Sequence, residues 1–373
     1  MMSKKTIGLL TAAGCTAAAV GILTFPAQVA EGVRSGLTLC GQTLIPALFP
    51  FMALAMLLGR SAAAGPVCRL LGPVCRRWLR LPQNFAPVLL MSFIGGYPTA
   101  AKLLSSMLKK DEVTPQQAQR LLFFAVSPAP SFAVLAVGAG LLGSVRAGMV
   151  LYGCHLFTAL LLGGWQARRH PAPPVQNKKT ACLPFAAALV ESTAAAVEGM
   201  LAVCGFVLLF SALLALLQAV GLPLALGRLA SRAVGGLVAP KTFSAAFCGM
   251  LEVTCGVFAC GSLDWRSLCV VIPFLVSFGS LSVVCQISAC LGGCGVKTAP
   301  LVLGRLVHGL LSTLMAAPML WQMAPGLSVW AQAARPLGQP ASLISTFALL
   351  GAGSLLLLSL DQKALPAQRP GGQ

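Results

Sequence analysis

Eight side chains in this sequence set a reactive or polar group among apolar neighbours: Lys102, Ser127, Ser131, Glu252, Ser277, Ser280, Ser282 and Gln286. Glu252 is the one acid, of eight, that lies inside an apolar run. A carboxyl so placed marks function by default in a membrane. It could couple transport to H+ or Na+, with backbone carbonyls completing a sodium site. The structural alternative is a Glu that caps a broken helix or pairs with a base. Lys102 follows a Gly-Gly-Tyr-Pro break and precedes Leu103 and Leu104. A cation near half-helix N-termini suits a carboxylate substrate, since both supply positive potential. The bland reading is a Lys whose stem snorkels to cytoplasmic headgroups. The five serines and Gln286 offer neutral donors that bind a carboxylate or a ring nitrogen without a buried charge. Taken singly, each is equally suited to helix–helix contact. A substrate anion beside Glu252 would be repelled unless that carboxyl is protonated or paired with Lys102.

The elements that must hold these groups are two related stretches. Residues 274–294 read FLVSFGSLSVVCQISACLGGC, and residues 124–143 read FAVSPAPSFAVLAVGAGLLG. At an offset of 150, Val126 meets Val276, Ser127 meets Ser277, Val134 meets Val284 and Gly143 meets Gly293. Pro128 and Pro130 should split the first stretch into two half-helices. Polar, broken apolar segments in corresponding halves are what a transporter built from repeats shows. Unpaired polar groups in lipid cost several kcal/mol each, so such segments need a cavity, a neighbour or a guest.

Composition sets the class. The chain has 373 residues, 57% hydrophobic and 9% charged, against about 25% charged in soluble domains. The expectation is an all-α polytopic membrane protein. The net charge of +18 does not point to nucleic acid, because the basic residues flank apolar runs and read as cytoplasmic anchors on anionic lipid. Fourteen Cys without a CxxC pair, and three His, argue for small packing residues rather than a metal site. No metal and no cofactor are expected.

In chain order, residues 6–24 form a first span after Lys4 and Lys5. A signal peptide cleaved after Ala30 fits less well, because the apolar core is long and Gln28 sits where a small residue is wanted. A span at 37–59 carries Pro46 and Pro50, which predict a kink. Arg60, Arg69, Arg76, Arg77 and Arg80 follow as a cytoplasmic loop. The apolar part of residues 84–106 is too short to span and is broken at GGYPTAAK, so a re-entrant hairpin is expected, with Gly96 and Pro98 as hinge. Thr114, Pro115 and Gln117 predict a capped helix start that leads into the first polar span. A span at 148–165 and the Pro-rich segment HPAPPVQNKK close the first half. The second half should open with an interfacial helix holding Glu191 and Glu198, then a span at 199–219. A second broken stretch, FCGMLEVTCGVFACG, comes next, and spans at 267–292, 298–322 and 341–360 complete the chain. The count is about eight transmembrane helices plus two re-entrant or broken hairpins. Three crossings separate the repeats, which makes them an inverted repeat. This scheme places Arg228, Arg232 and Lys241 outside. His155 and His308 read as packing or interfacial residues, with Arg305 aligned on His155.

GGYPTAAKLL and TPQQAQRLLFFAVSPAPSFAVLAVGAGLLGS in the first half, with GMLEVTCGV and SFGSLSVVCQI in the second, resemble the sporulation integral membrane proteins of the YlbJ (SpoVV) family. That family falls in the nucleoside-recognition, or gate-domain, group and is similar to concentrative nucleoside transporters. The likeness spans about residues 35–320 and departs from the family at Cys255, where a polar residue such as Asn is more usual. It implies gate-type repeats at 31–166 and 191–325 about a cytoplasmic linker at 167–190, while the apolar runs outside it give an N-terminal transmembrane anchor at 1–30 and a last transmembrane helix and tail at 326–373. It also implies a carrier that moves dipicolinate toward the forespore, working in the bacterial cytoplasmic membrane, there the mother-cell-derived outer forespore membrane. The partners implied are a small anionic substrate, the lipid bilayer and a coupling H+ or Na+, with a homo-oligomer left open. Transport of nucleosides and a non-transporting scaffold for the spore envelope are the competing readings. An enzyme is not expected, since HExxH, GxSxG and paired intramembrane Asp are all missing from the sequence.

Overall fold

The computed structural model describes residues 4–62, 64–169 and 183–323, which are helical with no strand among them. Helix α1 (Lys4–Thr24) leads into α2 (Pro26–Leu39), a π-turn (Cys40–Leu44) and α3 (Ile45–Arg60). The last three run on as one span, Pro26–Arg60. Pro46 cannot donate to the carbonyl four residues back. The wide turn just before it, closed by Ile45 N–H to Cys40 O, takes up that loss.

Helix α4 (Ala64–Pro73), a second π-turn (Val74–Trp78) and a 3-10 turn (Gln83–Phe85) precede the first hairpin. Its arms are α5 (Ala86–Ile94) and α6 (Tyr97–Lys109), joined through Gly96 at φ +86°, a value that costs Gly nothing. Helix α7 (Pro115–Phe124) starts at the expected cap: Thr114 Oγ1 accepts from Gln117 N–H at 3.3 Å, and Thr114 N–H donates to Gln117 Oε1 at 2.9 Å. The chain then breaks around Pro128 and Pro130, re-forms as a π-helix (Ser131–Leu141), and crosses back as α8 (Val145–Arg169).

Helix α9 (Phe185–Ala219) is a single element of 35 residues. The interfacial helix expected around Glu191 and Glu198 is therefore its first turns and not a separate piece. Gly199 and Gly205 alone are too mild to break it. Helix α10 (Leu222–Ala233) leads to a second hairpin of α11 (Pro240–Leu251) and α12 (Val253–Ala259), broken at Glu252. Asp264 caps α13 (Trp265–Phe278), and hydrogen bonding from Ser267 holds its exposed carboxyl below the usual aspartate range. After Gly279 and Ser280 come α14 (Leu281–Cys290) and α15 (Thr298–Trp321).

Five helical runs among the described residues are long and apolar enough to cross a bilayer: Pro26–Arg60, Val145–Arg169, Phe185–Ala219, Trp265–Cys290 and Thr298–Trp321. They fall on the spans expected at 37–59, 148–165, 199–219, 267–292 and 298–322. The expected first span is the shorter apolar helix Gly8–Thr24. The span at 341–360, the tail and the Pro-rich segment 170–179 lie outside the described residues. The chain is an all-α polytopic integral membrane protein. Trp265–Cys290 is the most enclosed of the five, 78% buried, which places its break at the centre.

Packing in lipid rests on close contact rather than on a hydrophobic drive. On α2, Gly32 and Gly36 meet α9 at Ser211 and Ala215; a Cβ on Gly36 would stand 2.7 Å from Ser211 Oγ. The π-helix meets α8 in the same way, where a Cβ on Gly148 would lie 2.7 Å from Val134 O. The hairpin arms cross over: α6 packs on α14, and α12 packs on the π-helix. Helix α15 likewise packs on α7, and α13 on α8.

Candidate functional site

The two breaks meet in a buried knot. His155, on α8, bonds Ser127 Oγ through Nε2 and Ser277 Oγ through Nδ1, each at 2.9 Å. One imidazole thus spans the equivalent serines of both broken spans. Arg305, on α15, donates to Val126 O, to Ser277 O at 3.3 Å and to Phe123 O at 3.3 Å. These carbonyls lie at the C-terminal ends of α7 and α13, where helix dipoles are negative. All five residues of the knot, His308 included, are fully buried.

The tautomer of His308 follows from its partners. A guanidinium only donates, and Arg305 Nη2 lies 2.9 Å from His308 Nδ1. Nδ1 is therefore the acceptor, and Nε2 carries the proton that it donates to His155 O at 3.0 Å. The His155 and His308 rings stack with centroids 4.3 Å apart.

Beside the knot lies a cavity of about 40 Å³, room for roughly one water. Gly96 and Pro98 border it at the start of α6, Ala129 and Phe132 at the start of the π-helix, Glu252 and Thr254 at the start of α12, and Val283 and Gln286 in α14. Four half-helix N-termini therefore converge on one point, and each is the positive end of its dipole. Apolar residues of α3 and α9, among them Met52 and Val203, close the wall. Glu252 is 1% exposed. Its Oε2 accepts from Cys255 N–H at 2.7 Å and its Oε1 from Thr254 Oγ1 at 3.2 Å. The carboxylate thus satisfies the α12 N-terminus from within the chain. Tyr97 Oη donates to Val276 O at 2.7 Å, tying the first hairpin to the second break.

Comparison with curated proteins places a relative beside this arrangement. The chain is 26% identical over 333 residues to the sporulation integral membrane protein YlbJ of Bacillus subtilis (strain 168), covering 83% of this chain and 81% of the relative. The chain is thus similar to YlbJ along most of its length. No family model matches the chain, and no solved structure matches it.

Four residues singled out from sequence border the cavity: Gly96, Pro98, Glu252 and Gln286. Ser127 and Ser277 belong to the knot behind it. Ser280 caps α14, accepting from Val283 N–H at 3.3 Å. Ser282 Oγ accepts from Gln286 Nε2 at 3.3 Å and so orients that amide. Ser131 donates to Ala47 O at 3.1 Å, which fastens the π-helix to α3. Lys102 turns toward α9, with Nζ 3.1 Å from Glu198 and 3.2 Å from Ala195 O. A Lys102–Glu252 pair is therefore not what the structure forms: the carboxylate beside Lys102 is Glu198. The Lys102 stem runs past Gly199, whose missing side chain gives it room.

Sequence reasoning read His155 and His308 as packing or interfacial residues and only aligned Arg305 on His155; the structure brings all three together as the centre of the polar knot. The signal was present, because His155 and Arg305 occupy the same position at the offset of 150. Two bulky polar residues at equivalent places in apolar helices call for a shared partner.

Proposed function

We propose that this protein is a member of the YlbJ family and a carrier for a small organic anion in the membrane of a sporulating cell. The anion binds where the N-termini of α6, the π-helix and α14 converge, beside the α12 N-terminus that Glu252 already occupies. That convergence is the observation that supports the reading: backbone dipoles attract carboxylates without a buried side-chain cation. Dipicolinate, moved toward the forespore across the outer forespore membrane, is the substrate favoured by the family resemblance, and sporulation is the setting named for the Bacillus relative. Gln286, oriented by Ser282, supplies a neutral donor, and Glu252 serves the coupling H+ or Na+. The cavity of about 40 Å³ must widen to admit a ring, which fits a carrier closed between two open states. The two halves, 31–166 and 191–325, act as oppositely oriented repeats that rock against each other. No chemical conversion of the substrate is proposed.

A nucleoside is the second reading, and one observation favours it. Among the described residues, Glu252 is the sole charged side chain bordering the cavity, with no Lys or Arg there, which suits a neutral guest. Flux of radiolabelled dipicolinate and uridine into proteoliposomes, with and without a proton or sodium gradient, tests both. The expected result is gradient-driven dipicolinate uptake that Glu252→Gln abolishes at unchanged expression. Uptake of uridine alone would replace the substrate. Flux of neither would favour a scaffold.

A further inference from the structure

A second, larger hollow lies between α2 and α9 and encloses about 1,010 Å³. Along α2 and the π-turn that follows it, the hollow is bordered by Gln28, Glu31, Ser35, Thr38 and Gln42, all exposed. Their spacing of three, four, three and four residues puts them on one face of a helix. Arg34 and Thr43 border the hollow beside them, and the run belongs to the span Pro26–Arg60. Five polar side chains in a row are costly against acyl chains and cheap against water. Across the gap stand Ser211 and Gln218 of α9. Glu31 and Arg34 pair at 2.9 Å near one end, so that end carries no net charge from them.

The other end of the hollow reaches the candidate site. Cys255 borders the hollow, and its backbone amide holds the Glu252 carboxylate that borders the central cavity. On α9, Ser211 faces the hollow and Val207, one turn earlier, faces the cavity. What separates the two spaces is thin. Ser211 Oγ and Cys255 Sγ are 3.3 Å apart, and Leu39, Leu44 and Val207 pack with Cys255 in one apolar cluster.

We propose that this hollow is a water-filled access path to the central cavity, and that the Ser211–Cys255 contact, backed by Leu39 and Val207, is its inner gate. The solute it admits is small and polar. What passes through rests on the carrier reading above; that water fills the path does not.

The test introduces Ser35→Cys, Thr38→Cys, Gln42→Cys or Leu37→Cys singly into the full chain in proteoliposomes. A charged methanethiosulfonate reagent is applied, and peptide mass spectrometry reads the modified fraction at each position. Leu37 is exposed but does not border the hollow, so it reports the neighbouring face of the same helix. The three hollow positions should react at least about tenfold faster than position 37, because the reacting thiolate needs water. Rates equal to or below that at position 37 would overturn the path. For the gate, Ser211→Ala should raise labelling of the native Cys255 several-fold while Cys269, buried in the core, stays unmodified. No rise at Cys255 would overturn the gate. Fast labelling without any flux would leave the path standing and sink the carrier, whereas flux without labelling would do the reverse.

Discussion

Arg305 holds positive charge inside the protein, and its nearest partners are backbone carbonyls and His308 rather than a carboxylate. Removing it strands several acceptors, each at about 1–3 kcal/mol. Arg305→Leu should lower the melting temperature in detergent steeply, and Arg305→Lys should recover only part, because an ammonium cannot reproduce the guanidinium fork. Glu252→Gln tests a different quality. The amide oxygen can still accept from Cys255 N–H, so the fold should hold while the charge is lost; a melting curve close to wild type beside absent flux is the expected pair of results. Ser280 sits at φ +132°, ψ 168°, a region other residues leave to Gly and one that costs about 1–3 kcal/mol. Gly caps a helix only a few tenths of a kcal/mol less well than Ser, so Ser280→Gly should stabilise the protein by roughly 1 kcal/mol. An unchanged or lower melting temperature would count against strain there. At this scale Glu252 was legible because a lone acid in an apolar run has few innocent explanations. The direction of Lys102 was not, since the room for its stem comes from Gly199, 97 positions away in the sequence.

At the scale of elements, the breaks were readable and the joins were not. Gly95–Gly96, Pro128, Pro130 and the Gly-Ser pair at 279–280 each interrupt a helix for a local backbone reason. The continuity of α9 went unread because Glu191 and Glu198 suggested a surface helix, yet no residue between 185 and 219 is strong enough to end one. The contact between α2 and α9 depends on Gly32 and Gly36 lying against Ser211 and Ala215. Gly36→Leu should force these helices apart, since the new side chain would begin 2.7 Å from Ser211 Oγ. A fall in melting temperature, together with faster labelling of Cys255, would report that separation. Wild-type values for both would show that the contact is looser than drawn.

Across the whole molecule, the two halves are interleaved. One arm of each hairpin, α6 in the first half and α12 in the second, packs on the broken span of the other half, and the 150-residue offset visible in sequence lands break on break and His155 on Arg305. What the offset could not show was the crossing over, which depends on contacts between residues nearly 180 positions apart, such as Tyr97 with Val276. Interleaving has a consequence for how the protein is made. While the ribosome is still translating the second half, the carbonyls of Phe123 and Val126 are already committed to the bilayer, and the guanidinium that will satisfy them has not yet been synthesised. The newborn first half must be sheltered by the insertion machinery or pair transiently with itself. Fragments 1–174 and 175–373, expressed together, should co-purify, whereas 1–174 expressed alone should be cleared by membrane proteases within a short chase.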